Sequence, residues 1–181
     1  GKAIPCLNNE SFRMLGKNLA GSSDRADSKA LLKSKLTDYL DKVDQSMLTG
    51  IQKSWIYQHL IIPSVTWELS VYEYHISFIE ELNNIITKYL KRWLKITKSA
   101  DKSIIYRSKE HFGLSIPNIV SNFKKSQMAK EFKMKTSKDQ SVKKLYKNKL
   151  KKEQESVRWK PTVHLENTMR NISLDEMTSF G

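Results

Sequence analysis

Cysteine occurs once, at Cys6, so no internal disulfide can staple the chain, and a reducing compartment is expected. Four histidines beside that lone thiol make no zinc-ligand spacing. The six glycines are scattered, and none belongs to a phosphate-cradling loop; a Gly-x-Ser-x-Gly elbow and a His-Glu-x-x-His helix are likewise missing. No pair of carboxylates is spaced to converge from strands on two metal ions, so the residues suggest no catalytic group and no cofactor. Long apolar runs are absent too. The longest stretch free of charged side chains, Ser54 to Trp67, holds 14 residues, short of the about 20 that a membrane helix needs. With no signal peptide either, the expected place is inside the cell, in nucleus or cytoplasm.

What the chain does have is a core and a polarised charge. Hydrophobic residues are 39% of 181, enough for one folded domain with appendages. The formal charge is +13, and it is not spread evenly. Residues 1–87 carry 9 basic and 10 acidic side chains, a net of −1, whereas residues 88–160 carry 22 and 6, a net of +16. Such a block repels itself and is expected to meet a polyanion, nucleic acid above all. The plainer reading is a solvated lysine face that keeps the protein soluble, and an anionic membrane surface is a third possibility. The start at Gly1, without methionine and directly in a strand-like run, reads as a piece of a longer chain.

Along the chain, Ala3–Leu7 and Ser11–Leu19 read as two extended segments joined at Asn8-Asn9, a β-hairpin with Pro5 on its edge. Everything afterwards reads as helical, which makes the fold class mainly α. Leu32, Leu36, Leu40, Val43 and Met47 recur on one face of a helix from Asp27 or Ser28 to Leu48. Thr49-Gly50 breaks that helix, and a second runs from Ile51 to Leu60, stopped by Pro63. Ser64–Tyr72 reads as irregular helix. The clearest element spans His75–Ile96, with Phe78, Leu82, Ile85, Tyr89 and Trp93 as one apolar stripe and Ile79, Ile86, Leu90 and Leu94 beside it. Asn84, Lys88, Lys91 and Lys95 share another face of this rod, roughly 33 Å long, at spacings suited to following a phosphate backbone. Lys102–Arg107 reads as extended. A helix then runs from Pro117 to Lys135, and a last, lysine-rich one from Asp139 to Val157 is expected to order on binding. His59 and His75 sit among apolar residues and read as core histidines; Trp55 and Trp93 read as core.

Four segments in order resemble the C-terminal part of the reverse transcriptases of site-specific non-LTR retrotransposons. Phe12-Arg13-Met14-Leu15-Gly16 resembles the aromatic-x-x-Leu-Gly primer grip, a hairpin at the palm edge. Gln52-Lys53, with Pro63 of Ile61-Ile62-Pro63 ten residues further on, is similar to the start of the thumb. Lys91-Arg92-Trp93-Leu94-Lys95-Ile96 resembles a basic-basic-Trp-Leu-x-Leu segment, and Phe112-Gly113-Leu114-Ser115-Ile116-Pro117 a Gly-Gly-Leu-Gly-Ile-Pro signature, with Phe112 and Ser115 in place of two glycines. The resemblance implies a hairpin over residues 1–24, an α-helical thumb over 25–135 and a basic helix and tail over 136–181. It also implies a non-catalytic part of an RNA-directed DNA polymerase, whose aspartates and Mg2+ belong to palm and fingers upstream of Gly1. Phe12, Leu15, Gly16 and Lys17 would then shape the grip on the primer. Lys53, Lys88, Lys91, Arg92 and Lys95 would hold a DNA primer on an RNA template through phosphates, without reading bases. The alternative is a basic helical module that binds nucleic acid or an acidic protein and has no polymerase parent.

Overall fold

The computed structural model describes residues 12–14, 17–19, 25–72 and 74–154. Its helices are α1 (Arg25–Gln45), α2 (Gly50–Ile56), α3 (Ile62–Val71), α4 (Ile76–Trp93), α5 (Ser103–Tyr106), α6 (Ile119–Thr136) and α7 (Gln140–Gln154). A π-helical turn, Tyr57–Ile61, links α2 to α3, and a 3-10 turn, Lys109–His111, precedes the loop into α6. Mainly α therefore holds.

The expected N-terminal β-hairpin does not. Among the described residues, extended pairing is confined to two three-residue strands, β1 (Phe12–Met14) and β2 (Lys17–Leu19). They pair antiparallel with Phe12 opposite Leu19, so the chain reverses within the segment read as a single strand. Ala3–Leu7 and the Asn8-Asn9 turn lie outside the described residues. An asparagine-rich turn is a local cue; alone it does not supply a partner strand with a face to bury.

The core is made where helix periodicity says it should be. Leu32, Leu36 and Leu40 of α1 are buried against Ile79, Leu82, Ile86 and Leu90 of α4, with Tyr57, Ile61, Val65 and Leu69 between and Ile119 and Phe123 of α6 closing the far side. The Tyr57 hydroxyl, deep in this core, donates to the Pro117 carbonyl at 3.2 Å, which ties the centre of the bundle to the entrance of α6. Asn118 caps α6 by accepting from the Val120 N–H at 2.8 Å.

Several local expectations are corrected. Pro63 does not stop a helix: the Ile62 N–H reaches back five residues to the Tyr57 carbonyl, and this wider turn carries the chain past the proline. Lys102–Arg107 is not extended, because Ser103–Tyr106 forms one helical turn capped by Asp101. Met47 leaves the α1 stripe because the helix ends at Gln45, and its side chain is fully exposed. Trp55 and His59 are not core either; Trp55 is exposed, and the two rings lie against each other at 4.6 Å on the outer side of the helix. His75 is an exposed N-cap of α4, its Nδ1 accepting from the Ser77 N–H at 3.4 Å. Trp93 is buried as expected.

The junction of α1, α2 and α4 is held by one aspartate. Asp44 takes the Trp93 indole N–H at 2.7 Å on Oδ1 and the Arg92 guanidinium at 2.8 Å on Oδ2. Its backbone carbonyl accepts from Lys53 Nζ at 2.7 Å. Thr49 and Gln52 form a reciprocal capping box at the start of α2, the Thr49 N–H donating to Gln52 Oε1 at 3.0 Å. These contacts fix the C-terminal end of α4, where the basic block begins.

Candidate nucleic-acid interface

The last turn of α4 ends by winding left-handed. The Leu94 N–H closes on the Leu90 carbonyl at 3.0 Å, and Lys95 adopts φ 55°, a position that glycine usually fills. The Ile96 N–H then bonds back to the Lys91 carbonyl at 2.9 Å, which turns the chain across the helix end. Lys91 secures the loop beyond this turn: its Nζ donates to the Lys98 carbonyl at 2.9 Å and the Ala100 carbonyl at 2.5 Å. Between the helix and this folded-back loop lies an open groove lined by Lys88, Tyr89, Lys91, Arg92, Lys95 and Lys98, with Ile96 and two threonines. Among the described residues no carboxylate lines it.

The five cations are not equivalent. Lys91 is spent on backbone carbonyls, and Arg92 is paired with Asp44 while its guanidinium lies 4.8 Å from the Tyr89 ring centroid. Both also offset the negative end of the α4 dipole. Lys88, Lys95 and Lys98 are exposed and have no ion-pair partner among the described residues. The wall beneath them is stiff. Tyr89 donates its hydroxyl to Asp41 Oδ1 at 2.5 Å, and this hydrogen bond to a carboxylate, with some burial, holds its phenol above the ordinary value. On the loop side, the Asp101 carboxyl is held below its ordinary value by hydrogen bonds from the Ser103 hydroxyl and N–H, with Arg107 and Lys91 adding to the effect.

Of the residues expected to touch nucleic acid, Lys88, Lys91, Arg92 and Lys95 come together here, although not as a straight row. Lys95 lies beyond the helix, and Asn84 stands one turn earlier on α4. Lys53 is elsewhere, binding the Asp44 carbonyl at the end of α1. Phe12 and Lys17 lie on β1 and β2, whereas Leu15 and Gly16 fall outside the described residues. Lys98 was not anticipated. Its only signal was a place one turn's length beyond a helix already rich in lysine.

With five cations and no carboxylate in its lining, the groove carries a positive potential suited to anions. Among the described residues no group of three histidine, cysteine, aspartate or glutamate side chains is gathered as a metal site would need. No helix of the described residues is long and apolar enough to cross a membrane. No known family, curated protein or solved structure matches this chain.

Proposed function

We propose that the chain is the helical thumb of an RNA-directed DNA polymerase of the non-LTR retrotransposon kind, working inside the cell, in nucleus or cytoplasm. It holds the hybrid of RNA template and DNA primer by its phosphates while an upstream palm and fingers, with their own aspartates and Mg2+, carry out synthesis. The observation that carries this reading is the carboxylate-free groove at the end of α4, lined by five cations of which three face solvent unpaired among the described residues. It coincides with the Lys91–Ile96 segment that supplies the third of the four family-like motifs. Phosphate contacts from flexible ammonium groups on a rigid wall favour a duplex by shape and charge and leave base sequence unread.

Replacing Lys88, Lys95 and Lys98 together with glutamine tests it. Each phosphate contact contributes about 0.9 to the slope of log affinity against log salt, so the triple variant is expected to flatten that slope by about 2 to 3 for an RNA–DNA hybrid. Its melting temperature should stay nearly unchanged, since exposed, unpaired side chains contribute little to stability. Anisotropy titrations between about 50 and 200 mM salt give the slope. Equal slopes for the variant and the parent protein would remove the groove from the interface. Binding to a polyglutamate peptide as tight as to the hybrid would point instead to an acidic protein partner.

A further inference from the structure

The loop between α5 and α6 displays a phenylalanine at a conformational cost. Phe112 is 97% exposed, and its backbone sits in the left-handed region at φ 57°, ψ 32°. That region suits glycine and is disfavoured for a bulky side chain. The conformation is imposed by its surroundings. The Phe112 N–H bonds to the Lys109 carbonyl at 3.1 Å, and the Gly113 N–H to the Ser108 carbonyl at 2.9 Å. Ser115, itself left-handed at φ 53°, donates its N–H to the Arg107 carbonyl and accepts from the Lys109 N–H on its hydroxyl, both at 2.9 Å. A Cβ on Gly113 would stand 2.0 Å from the Arg107 carbonyl oxygen, so the loop is closed as tightly as a backbone allows. The backbone beneath this exposed apolar ring is fixed at a disfavoured position, an outlier of the kind that clusters at functional sites.

The place of this loop indicates the use. Tyr106, at its root, shares a 2.7 Å hydrogen bond with Thr87, a residue of the groove wall. Lys91 of the groove binds the Ala100 carbonyl, which leads into α5. The root of the loop is thus tied to the wall of the groove through Tyr106 and Ala100. Arg107 and Lys109 are exposed there; Arg107 donates to the Ser103 hydroxyl at 3.3 Å and lies in the field of Asp101, and Glu110 is the one carboxylate in sequence between Lys109 and the ring. We propose that Phe112 is a stacking platform for an unpaired nucleobase of the nucleic acid held in the groove, Arg107 and Lys109 taking the flanking phosphates. Aromatic rings accept any base on their face, so the contact tolerates sequence. It rests on the reading of the groove as a hybrid-binding site.

The test uses two probes, a blunt RNA–DNA hybrid and the same hybrid with a single-stranded extension. Phe112→Gly is expected to bind the extended probe about tenfold more weakly and the blunt probe unchanged, while Phe112→Trp keeps the affinity of the parent. Phe112→Gly should also melt higher, because glycine adopts the left-handed turn freely; its folding is therefore not in question. Unchanged binding of the extended probe, or an equal loss on both, overturns the platform and leaves the groove standing. Absence of binding to either probe by the parent protein overturns both. Loss of retention on vesicles of anionic phospholipid, with oligonucleotide affinity intact, would assign the ring to a lipid surface and overturn the proposal as well.

Discussion

Gly50→Ala is expected to lower the melting temperature by about 10 °C, although alanine is the better helix former. On propensity alone the change would stabilise the first turn of α2 by up to about 1 kcal/mol. The obstacle is the end of α4: a Cβ on Gly50 would lie 1.8 Å from the Trp93 carbonyl oxygen and 2.7 Å from its carbon. Both are backbone atoms, so no side chain can swing aside. Relief requires α2 and α4 to separate, which pulls apart the Asp44 contacts to Trp93, Arg92 and Lys53. Overpacking costs about 1 to 3 kcal/mol as a rule, and a clash with backbone that cannot swing aside belongs at the top of that range; at about 2 to 4 °C per kcal/mol for a chain of this size the shift comes to about 10 °C. A thermal melt monitored by helical circular dichroism reads it directly. A variant as stable as the parent would mean that α2 and α4 do not approach as described. The groove would then lose the junction that positions it.

Lys149→Met is expected to free α7 from the bundle at a cost of about 3 to 5 kcal/mol. Glu131 of α6 is fully buried, and its Oε2 is held by Lys149 Nζ at 2.5 Å, while Oε1 has no partner among the described residues. The same face of α6 carries Gln127, whose amide donates to the Leu69 carbonyl at 2.8 Å. Removing the ammonium leaves a carboxylate in the interior with nothing to balance it, the costly half of a buried pair. Replacing both partners, Glu131→Gln with Lys149→Met, removes the charge altogether and should restore most of the loss. The urea midpoint and the exchange rates of the α7 amides separate the two variants. Equal stability of the single and the double variant would show that the pair carries no coupling. Of the lysines of α7, then, Lys149 serves the fold, whereas Lys143, Lys144 and Lys147 are exposed.

Periodicity was enough to place α1 and α4. Leu32, Leu36 and Leu40 mark the buried side of α1 at four-residue spacing, and Leu82, Leu90 and Trp93 that of α4, because a 3.6-residue repeat is a local property of the chain. The lysine-bearing end of α4 was legible for the same reason. What stayed hidden depends on partners far away in sequence. That Arg92 is committed to Asp44 and Lys53 to the Asp44 carbonyl is set by how α1 and α4 cross, which no spacing encodes. Trp55 reads as core by residue type, but Tyr57 and Ile61 take the inward positions and leave it facing water. Pro63 reads as a stop because the rule concerns an α-helix, and the π-helical turn before it changes the frame. The hairpin rested on turn residues alone, with no pattern of buried side chains to hold a second strand in register.

The most direct measurement of the central claim is the reactivity of each lysine toward an amine-acetylating reagent, with and without saturating RNA–DNA hybrid, read by mass spectrometry. Lys88, Lys95 and Lys98 surround the groove, and Lys33 and Lys42 of α1 are occupied with Glu81 and Asp38. The expected result is protection of the first three and no change at the other two. Protection confined to Lys143, Lys144 and Lys147, with the groove lysines as reactive as in the free protein, would place the nucleic acid on α7 and contradict the claim.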